Sequence, residues 1–424
     1  MLNDKKRFLE LPWLSIILIP LITVFTYWRL VDQGIYEHLF DYGKEALHAV
    51  QAWENHGFWS MAGMFSWGQG YIDANTEPTQ LYQSKTPIHL LHLWGAYKLV
   101  GSSGYPLFKL VYSLTIASIN GLLLGAIALL CFKNITQGIK GGIYKELIVI
   151  STYAITISNE SVLRFCMIDE PDHLSITAWL ATIASLGWWL QKSEFRLIPK
   201  FTIALGFLTS WIYPIFGVTN VITLFTLQLF KIEKRFKNAL RLLIPGSVAG
   251  IVLYWIQRLI AKAIIPEKLY GSKLMDRMGM TGSLEAHDGL FDALDFIYDQ
   301  RSGGIPGFLK NSQIYIEHCA VWILGIILFF IVLARIRGID KQILLALAAG
   351  SSWLFVPLLS QSLAQHGWVY GINFMPTVVL GWIGALTCVL PGKRSAIFGP
   401  MMLGFVPLLI WAIQLRWFMA LYLR

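Results

Sequence analysis

Four ionisable side chains lie together at the start of a long apolar run, in the stretch MIDEPDHLSITAW: Asp169, Glu170, Asp172 and His173. A carboxylate costs several kcal/mol to bury in lipid. Acids stabilise a helix N-terminus by about 0.3–1 kcal/mol each, and Pro171 suits a first helical turn. Three acids exceed what a helix start needs. If two carboxylates lie side by side, the pKa of one rises toward the range useful to a general base.

Another acid, Asp41, opens the stretch DYGKEALHAVQAWENHGFW, residues 41–59. Apolar residues recur in this stretch at helical spacing: Tyr42, Ala46, Ala49, Val50 and Trp53. The pattern predicts an amphipathic helix that lies in the membrane interface. Asp41 then has two interpretations. It is either the N-cap, accepting backbone N–H bonds, or a general base held at the membrane surface.

The stretch YQSKTPIHLLHLWGAYKLVG, residues 82–101, places a lysine ahead of an apolar segment that ends at Gly101. Lys85 is either an ordinary lysine that extends from apolar surroundings to water or a cation that meets a phosphate. His89 and His92 share a helix face, but two histidines without a carboxylate make a poor metal site. We therefore predict no metal and no cofactor.

Two further polar residues are candidates for substrate binding. Arg301 lies in DQRSGGIPG, and His366 lies in AQHGWVYG. Each is as consistent with a structural loop residue as with a ligand. Their positions between apolar segments place them in loops, where functional residues concentrate.

The composition predicts a protein that crosses the membrane many times. Hydrophobic residues make up 55% of the 424 residues, and charged residues only 14%, whereas soluble domains carry about 25% charged residues. The 17 Trp and 17 Tyr suit membrane interfaces, where an apolar ring meets a polar edge. We expect an all-α membrane protein forming one polytopic domain over residues 1–424.

A transmembrane helix needs about twenty apolar residues. The candidate spans are 12–31, 106–132, 146–160, 173–190, 201–214, 215–230, 239–260, 313–334, 341–359, 372–390 and 396–415. The two segments on either side of Tyr213-Pro214 are either two short spans, which gives eleven, or one broken helix.

Lysine and arginine concentrate in every second loop, starting with the N-terminus, which fixes that side as cytoplasmic. The net charge of +9 is thus explained by topology, and we predict no nucleic-acid partner. Two large loops, residues 32–105 and 261–312, then lie outside with MIDEPDH and most acids. Short cytoplasmic loops without a retention signal favour a bacterial inner membrane, with the site facing the periplasm or exterior.

The order of these elements resembles a known superfamily. Asp41 opens a helix that carries Ala46 and Ala49 and ends at Gly57, and Lys85-Thr86-Pro87-Ile88 then leads into a short helix and the second span. This arrangement is similar to the GT-C integral membrane glycosyltransferases, nearest the protein O-mannosyltransferases and the lipid A aminoarabinose transferases. The family often has Asp-Glu where this chain has Asp41-Tyr42, and Pro-Pro where it has Thr86-Pro87.

The resemblance implies a fold, a reaction and roles for particular residues. The fold has about eleven spans and two large extracytoplasmic loops carrying interfacial helices. The reaction moves one sugar from a polyprenyl-phosphate donor, a membrane lipid, to a hydroxyl of a glycan, lipid or protein acceptor. The resemblance makes Asp41 the base and Lys85 the phosphate contact. It places a second acid at Asp172, or alternatively at Asp169, and leaves Glu170 without a role.

Two other classes of protein remain as alternatives. An oligosaccharide polymerase or ligase also has many spans and large external loops, but we expect arginine-rich loops there, and external arginines are sparse. A secondary transporter would place ionisable residues at the middle of the membrane and show paired broken helices. Here the ionisable residues cluster at one face, which disfavours transport most.

Overall fold

A computed structural model gives the fold. It describes residues 13–37, 44–61, 63, 66–67, 80–81, 88–132, 142–160, 162–163, 171–191, 197–212, 234–264, 304–336, 341, 343–345, 367–388 and 395–422. At several helix ends only the backbone is described. Asp172, in the first turn of its helix, is one such residue.

The described elements are almost entirely helical, which confirms the all-α prediction. One antiparallel pair of two-residue strands, β1 (Ser66–Trp67) and β2 (Gln80–Leu81), is the exception among them. The helices are α1 Trp13–Asp32, α2 Lys44–His56, α3 Ile88–Cys131, α4 Gly142–Ile157, α5 Pro171–Gln191, α6 Leu197–Ile212, α7 Lys234–Ile264, α8 Gly304–Arg335, α9 Gly367–Cys388 and α10 Ser395–Tyr422.

Several helices are suited to a membrane. Within the described residues, four are long and apolar enough to cross one, judged by length and composition: Trp13–Asp32, Leu90–Cys131, Ile244–Ile264 and Gly399–Ala420. Shorter apolar helices are Leu174–Trp188, Ala320–Arg335 and Met375–Cys388. An integral membrane protein is the class that these helices fit. The predicted span 215–230 and most of the span 341–359 lie outside the described residues.

Helix α3 is far longer than one crossing requires and is broken at Gly101. Its 44 residues would extend about 66 Å as a straight helix, against a hydrocarbon core of about 30 Å. Gly101 has φ 69° and ψ −179°, a conformation that residues with a Cβ rarely adopt. The break separates residues 88–100 from residues 102–131, as the sequence predicted.

Helix α4 lies at the centre of the bundle, packed against α1, α3, α9 and α10. Every residue from Ile150 to Glu160 is buried, although many are polar. The Thr152 hydroxyl donates to the Ile148 carbonyl at 2.6 Å, and the Thr156 hydroxyl donates to the Thr152 carbonyl at 2.7 Å. Because such hydroxyls bond within their own helix, they are tolerated inside a dry bundle.

Three helices run in the same direction. At the start of α1 and α4, the Ser15 N–H donates to Glu146 Oε2 at 2.9 Å. Near the ends of α4 and α10, the Ser158 hydroxyl donates to Gln414 Oε1 at 2.7 Å. Between α1 and α10, the Trp411 indole N–H donates to Thr26 Oγ1 at 2.9 Å. We call the end at which these helices terminate the outer end, since the basic residues predict that it faces away from the cytoplasm.

Helix α3 runs against α4, so it begins at the outer end. Gly121 of α3 lies against the Tyr153 ring, and Gly125, further along α3, lies against Val149. At the other end of the bundle, Leu130 of α3 contacts Gly187 near the end of α5. Helices α3 and α5 therefore both end there and both start at the outer end.

Two pairs of consecutive described helices pack parallel and very closely. In the first pair, Gly246 of α7 lies on the backbone of Ile203 in α6, and Gly250 lies on that of Phe207. In the second pair, Gly381 of α9 lies against the backbone of Gly325 in α8, and Gly384 lies against Val332. In each pair, the contact partner of the later glycine also comes later in its own helix. The two helices of a pair therefore run in the same direction and begin at the same end of the bundle.

Candidate functional site

The residues predicted from the sequence to form the site fall mostly outside the described part of the chain. Asp41, Lys85, Asp169, Arg301 and His366 all lie there. Asp172 lies in the first turn of α5, where the backbone alone is described, and this turn is at the outer end. The contacts of these six side chains therefore remain predictions. The surroundings of the segments that carry them are described.

The described part of the chain between α1 and α3 packs against the start of α3. We call α2, residues 57–61 and residues 88–100 together the outer module. Buried residues of α2 form one face: Ala46, Ala49, Val50 and Trp53. That face packs against Leu90 and Leu93, and Ala261 of α7 completes the cluster. The amphipathic helix predicted from the spacing of these apolar residues is therefore confirmed.

Three aromatic rings form the centre of the outer module. The Phe58 and Trp94 rings stack with centroids 5.3 Å apart and planes 11° apart. Trp53 meets the edge of each ring, at 5.0 Å from Phe58 and 5.7 Å from Trp94. Offset and edge-on pairs of this kind add about 0.5–1.5 kcal/mol beyond the area they bury. The cluster joins α2 rigidly to the start of α3.

A polar rim borders these rings. Lys98 Nζ lies 3.2 Å from Glu54 Oε1, and the Trp94 indole N–H donates to the same carboxylate oxygen. Lys98 Nζ also lies 4.4 Å from the centroid of the Trp94 ring. The ion pair is partly exposed, so its contribution is small, about 0–1 kcal/mol. The outer module is held mainly by its aromatic core.

Helix α2 is described from Lys44 to His56. Asp41 lies outside the described residues, so both of its interpretations, N-cap and general base, stay predictions. The helix ends at Gly57, whose φ of 88° allows its N–H to donate to the Trp53 carbonyl at 3.0 Å.

The segment that carries Asp41 is fixed on both sides. Before it, the buried Tyr36 donates its hydroxyl to the Pro106 carbonyl at 3.0 Å. Burial, followed by the charge of Glu37, raises the pKa of Tyr36, so the phenol stays protonated and donates this bond. After Asp41, Ala46 is buried in the outer module. In the sequence, Asp41 therefore lies five positions from each of two anchors, Tyr36 and Ala46, that both touch α3.

A buried lysine lies one turn beyond Pro106. Lys109 is 1% exposed, and its Nζ is 5.7 Å from the centroid of the Tyr112 ring. That ring in turn lies 4.8 Å from the His92 ring of the outer module. The His92 side chain is exposed by surface area. Desolvation by its neighbours, followed by the positive charge of Lys109, lowers its pKa.

A buried carboxylate lies at the outer end of α4. Glu160 Oε2 accepts a hydrogen bond from the Trp417 indole N–H at 3.1 Å, and both residues are buried. One turn away on the same pair of helices, Ser158 bonds Gln414. These contacts fix the end of α10 to the segment of chain that leads into MIDEPDH.

Lys109 and Glu160 have no role predicted from the sequence. Both lie within predicted spans, residues 106–132 and 146–160, where averaging hydropathy over twenty residues hides one charge. A signal was present, because a single ionisable residue inside a span points to a functional site by default. The partner of Glu160 could not be inferred, since Trp417 lies 257 positions away.

In comparisons with known proteins, no family model and no curated protein matches this chain. Within the part of the chain that the structure describes, no three His, Cys, Asp or Glu residues come together in a group that could hold a metal ion. The chemistry of the outer end is therefore argued from the chain's own residues.

Proposed function

We propose that this protein is a glycosyltransferase of the GT-C type, which moves one sugar from a polyprenyl phosphate to an acceptor hydroxyl at the outer face of the membrane. The observation that carries the proposal is the outer module. In it, α2, which follows Asp41 in the sequence, packs against residues 88–100, which follow Lys85, at the start of the helix that carries the buried Lys109. A donor lipid in the bilayer and an acceptor in water meet at such a place.

The directions of the helices support eleven spans. Nine described helices other than α2 pack in one bundle. The helices α6 and α7 are parallel, and so are α8 and α9. The chain between the two helices of each pair must therefore cross the membrane once to return to the side where the first helix began, which adds one span per pair. The count supports two spans, and not one broken helix, around Tyr213-Pro214.

The proposed chemistry needs a base and a cation. A carboxylate, assigned to Asp41, takes the proton of the acceptor hydroxyl while its oxygen bonds to the anomeric carbon of the sugar. The bond from that carbon to the phosphate oxygen breaks, and the phosphate leaves with one additional negative charge. Lys85 offsets this charge where it develops. Asp172 is the companion acid, with Asp169 the alternative.

The location of buried charge favours catalysis at one face over transport. Among the described residues, Lys109 and Glu160 are the buried side chains of the Lys, Arg, His, Asp and Glu types, and both belong to the outer end. A transporter would need such groups near the middle of the membrane. Arg301 and His366 complete the set of proposed substrate contacts at this face.

The direct test is a comparison of surface glycans and glycoproteins by mass spectrometry, with and without the protein. Asp41→Asn keeps the size of the side chain and its ability to cap a helix but cannot accept a proton. We expect transfer to fall by a factor on the order of 10² or more. Asp32→Asn is the matched control, since the contacts of this exposed acid are with near neighbours in the sequence, Arg29 at 3.6 Å and the Gln33 side-chain amide at 3.0 Å. Normal transfer by Asp41→Asn at equal abundance would move the base to Asp172.

The donor contact and the topology are tested separately. Lys85→Ala should lose donor affinity and rate together, whereas Lys85→Arg should keep part of both. Cysteines placed at Asp73 and Ser283 should both react with an impermeant thiol reagent in intact cells. Protection of either one in folded protein contradicts the eleven-span topology.

A further inference from the structure

Lys109 is buried inside the bundle near the outer end of the second predicted span, 106–132, where a charge needs a reason. It lies eight residues beyond Gly101, about 12 Å along the helix, and is 1% exposed. A charged side chain at such a depth is costly and usually marks a ligand path or a binding site. The proposed roles of Asp41 and Lys85 leave this residue without a function.

The Lys109 side chain turns into the bundle and not toward lipid. Residues that share its face of α3 are buried, namely Ser113, Asn120 and Ile127. The opposite face presents Val111, Ile119 and Leu122 to lipid. The ammonium therefore faces the interior of the bundle, on the side where a ligand of the outer end would lie.

The side chain also points toward the outer surface. Side chains on an α-helix tilt toward its N-terminus, and the N-terminus of α3 is at the outer end. The ammonium accordingly lies above its own Cα, beside the Tyr112 ring and under His92. This is the level at which the headgroup of an outer-leaflet lipid would sit.

We propose that Lys109 and His92 form an anion subsite that binds the phosphate of a polyprenyl phosphate from the outer leaflet. This inference rests on the proposed function and adds a second cation to the phosphate beside Lys85. The ammonium supplies charge, and the imidazole supplies a second hydrogen-bonding group on the other side of the Tyr112 ring. The Tyr112 ring lies against both groups and holds them together.

Binding is tested without any turnover. The purified protein is titrated with farnesyl phosphate, and thermal stabilisation is followed, with farnesol and inorganic phosphate as separate titrations. The wild-type protein should be stabilised by farnesyl phosphate far more than by either fragment. Lys109→Met should weaken binding about tenfold or more, because a hydrogen bond to a charged group is lost. Lys109→Arg should restore most of it.

Lys98→Met is the matched control, because Lys98 lies on the same helix but on the exposed rim, paired with Glu54. It should bind like the wild type. If Lys109→Met binds farnesyl phosphate as tightly as the wild type does, the subsite is wrong and the proposed function stands. If the wild type does not bind farnesyl phosphate at all, the proposed donor class fails first.

A second measurement uses the wild-type protein and therefore does not depend on whether Lys109→Met folds. Wild-type protein is irradiated with a farnesyl phosphate that carries a diazirine on its first isoprene unit, and the labelled peptides are identified by mass spectrometry. Label on residues 105–113 supports the subsite. Label confined to other segments overturns it.

Discussion

The outer module and the parallel helix pairs solve the same packing problem in opposite ways. In the pairs α6–α7 and α8–α9, glycines let two backbones touch, and almost no side chain stands between them. In the outer module, large rings fill the space between α2 and residues 88–100. The difference follows from the solvent around each region.

Inside lipid, apolar side chains gain nothing by leaving a medium as apolar as themselves. Helices there associate by close van der Waals packing, and small residues permit it. At the membrane surface water is present, so burying Trp53 and its neighbours removes apolar area from water at about 25 cal/mol per Å². The parallel helix pairs therefore pack closely because glycines leave no side chain between them, and the outer module is stabilised by the burial of large side chains.

The largest effect is expected from Gly381→Ala. A Cβ at this position would overlap the carbonyl oxygen of Gly325 and force α8 and α9 apart. We expect a loss of at least about 3 kcal/mol in stability, seen as a lower midpoint of thermal unfolding in detergent. Gly404→Ala is the control, because a Cβ there meets open space. Equal midpoints for the two variants would contradict the close packing.

Trp53→Ala should cost about 3 kcal/mol, but locally. The variant empties the aromatic centre of the outer module and leaves the glycine contacts intact. Limited proteolysis should open the first external loop while the bundle remains a single species on gel filtration. Trp59→Ala, at a side chain 83% exposed, should change neither. A bundle that dissociates in Trp53→Ala would show that the two regions fold as one unit.

A smaller effect is expected from Trp417→Phe, which tests whether polar bonds at the outer end matter to the bundle. The variant removes the indole N–H that Glu160 accepts. A hydrogen bond to a charged acceptor contributes about 1.5–3 kcal/mol. Trp411→Phe removes an indole N–H from the neutral Thr26 hydroxyl and should cost about 1 kcal/mol. Thermal midpoints measured side by side check the order, and the reverse order would mean that Glu160 is not ionised.

The smallest effect is expected from Glu54→Gln on the polar rim. The amide oxygen still accepts the Trp94 N–H, and only the charge opposite Lys98 is lost. We expect a change of less than about 1 kcal/mol, decreasing further in high salt because salt screens exposed charges. A larger loss that salt does not alter would place this pair away from water.

The sequence predicted what depends on local pattern. The helical spacing of Ala46, Ala49 and Trp53 identified α2 and its buried face, and Gly101 marked the break in α3. The helix boundaries fall within a few residues of the predicted spans in most cases, although α3, α7 and α8 extend well beyond them. Extension is expected, because a helix does not end where the membrane does.

What depends on contacts between distant segments was not predictable. No pattern around Gly381 indicates that its partner is Gly325, or that α8 and α9 run parallel. In the sequence, Lys109 is a single charge in an apolar run. Only its burial in the structure shows that it faces the interior of the bundle. The roles of Asp41, Lys85 and Asp172 came from a resemblance, and they stay predictions.

The break at Gly101 has a consequence for how the protein is made. The insertion machinery receives 44 residues that form one unusually long apolar segment, and apolarity alone does not tell it which residues to leave in the bilayer. Gly101, with φ 69° and no neighbouring atom within 4 Å of an added Cβ, allows residues 88–100 and residues 102–131 to take different directions. We expect a substitution that stiffens this position to change which part of the segment is inserted into the membrane more than it changes the contacts of the finished fold.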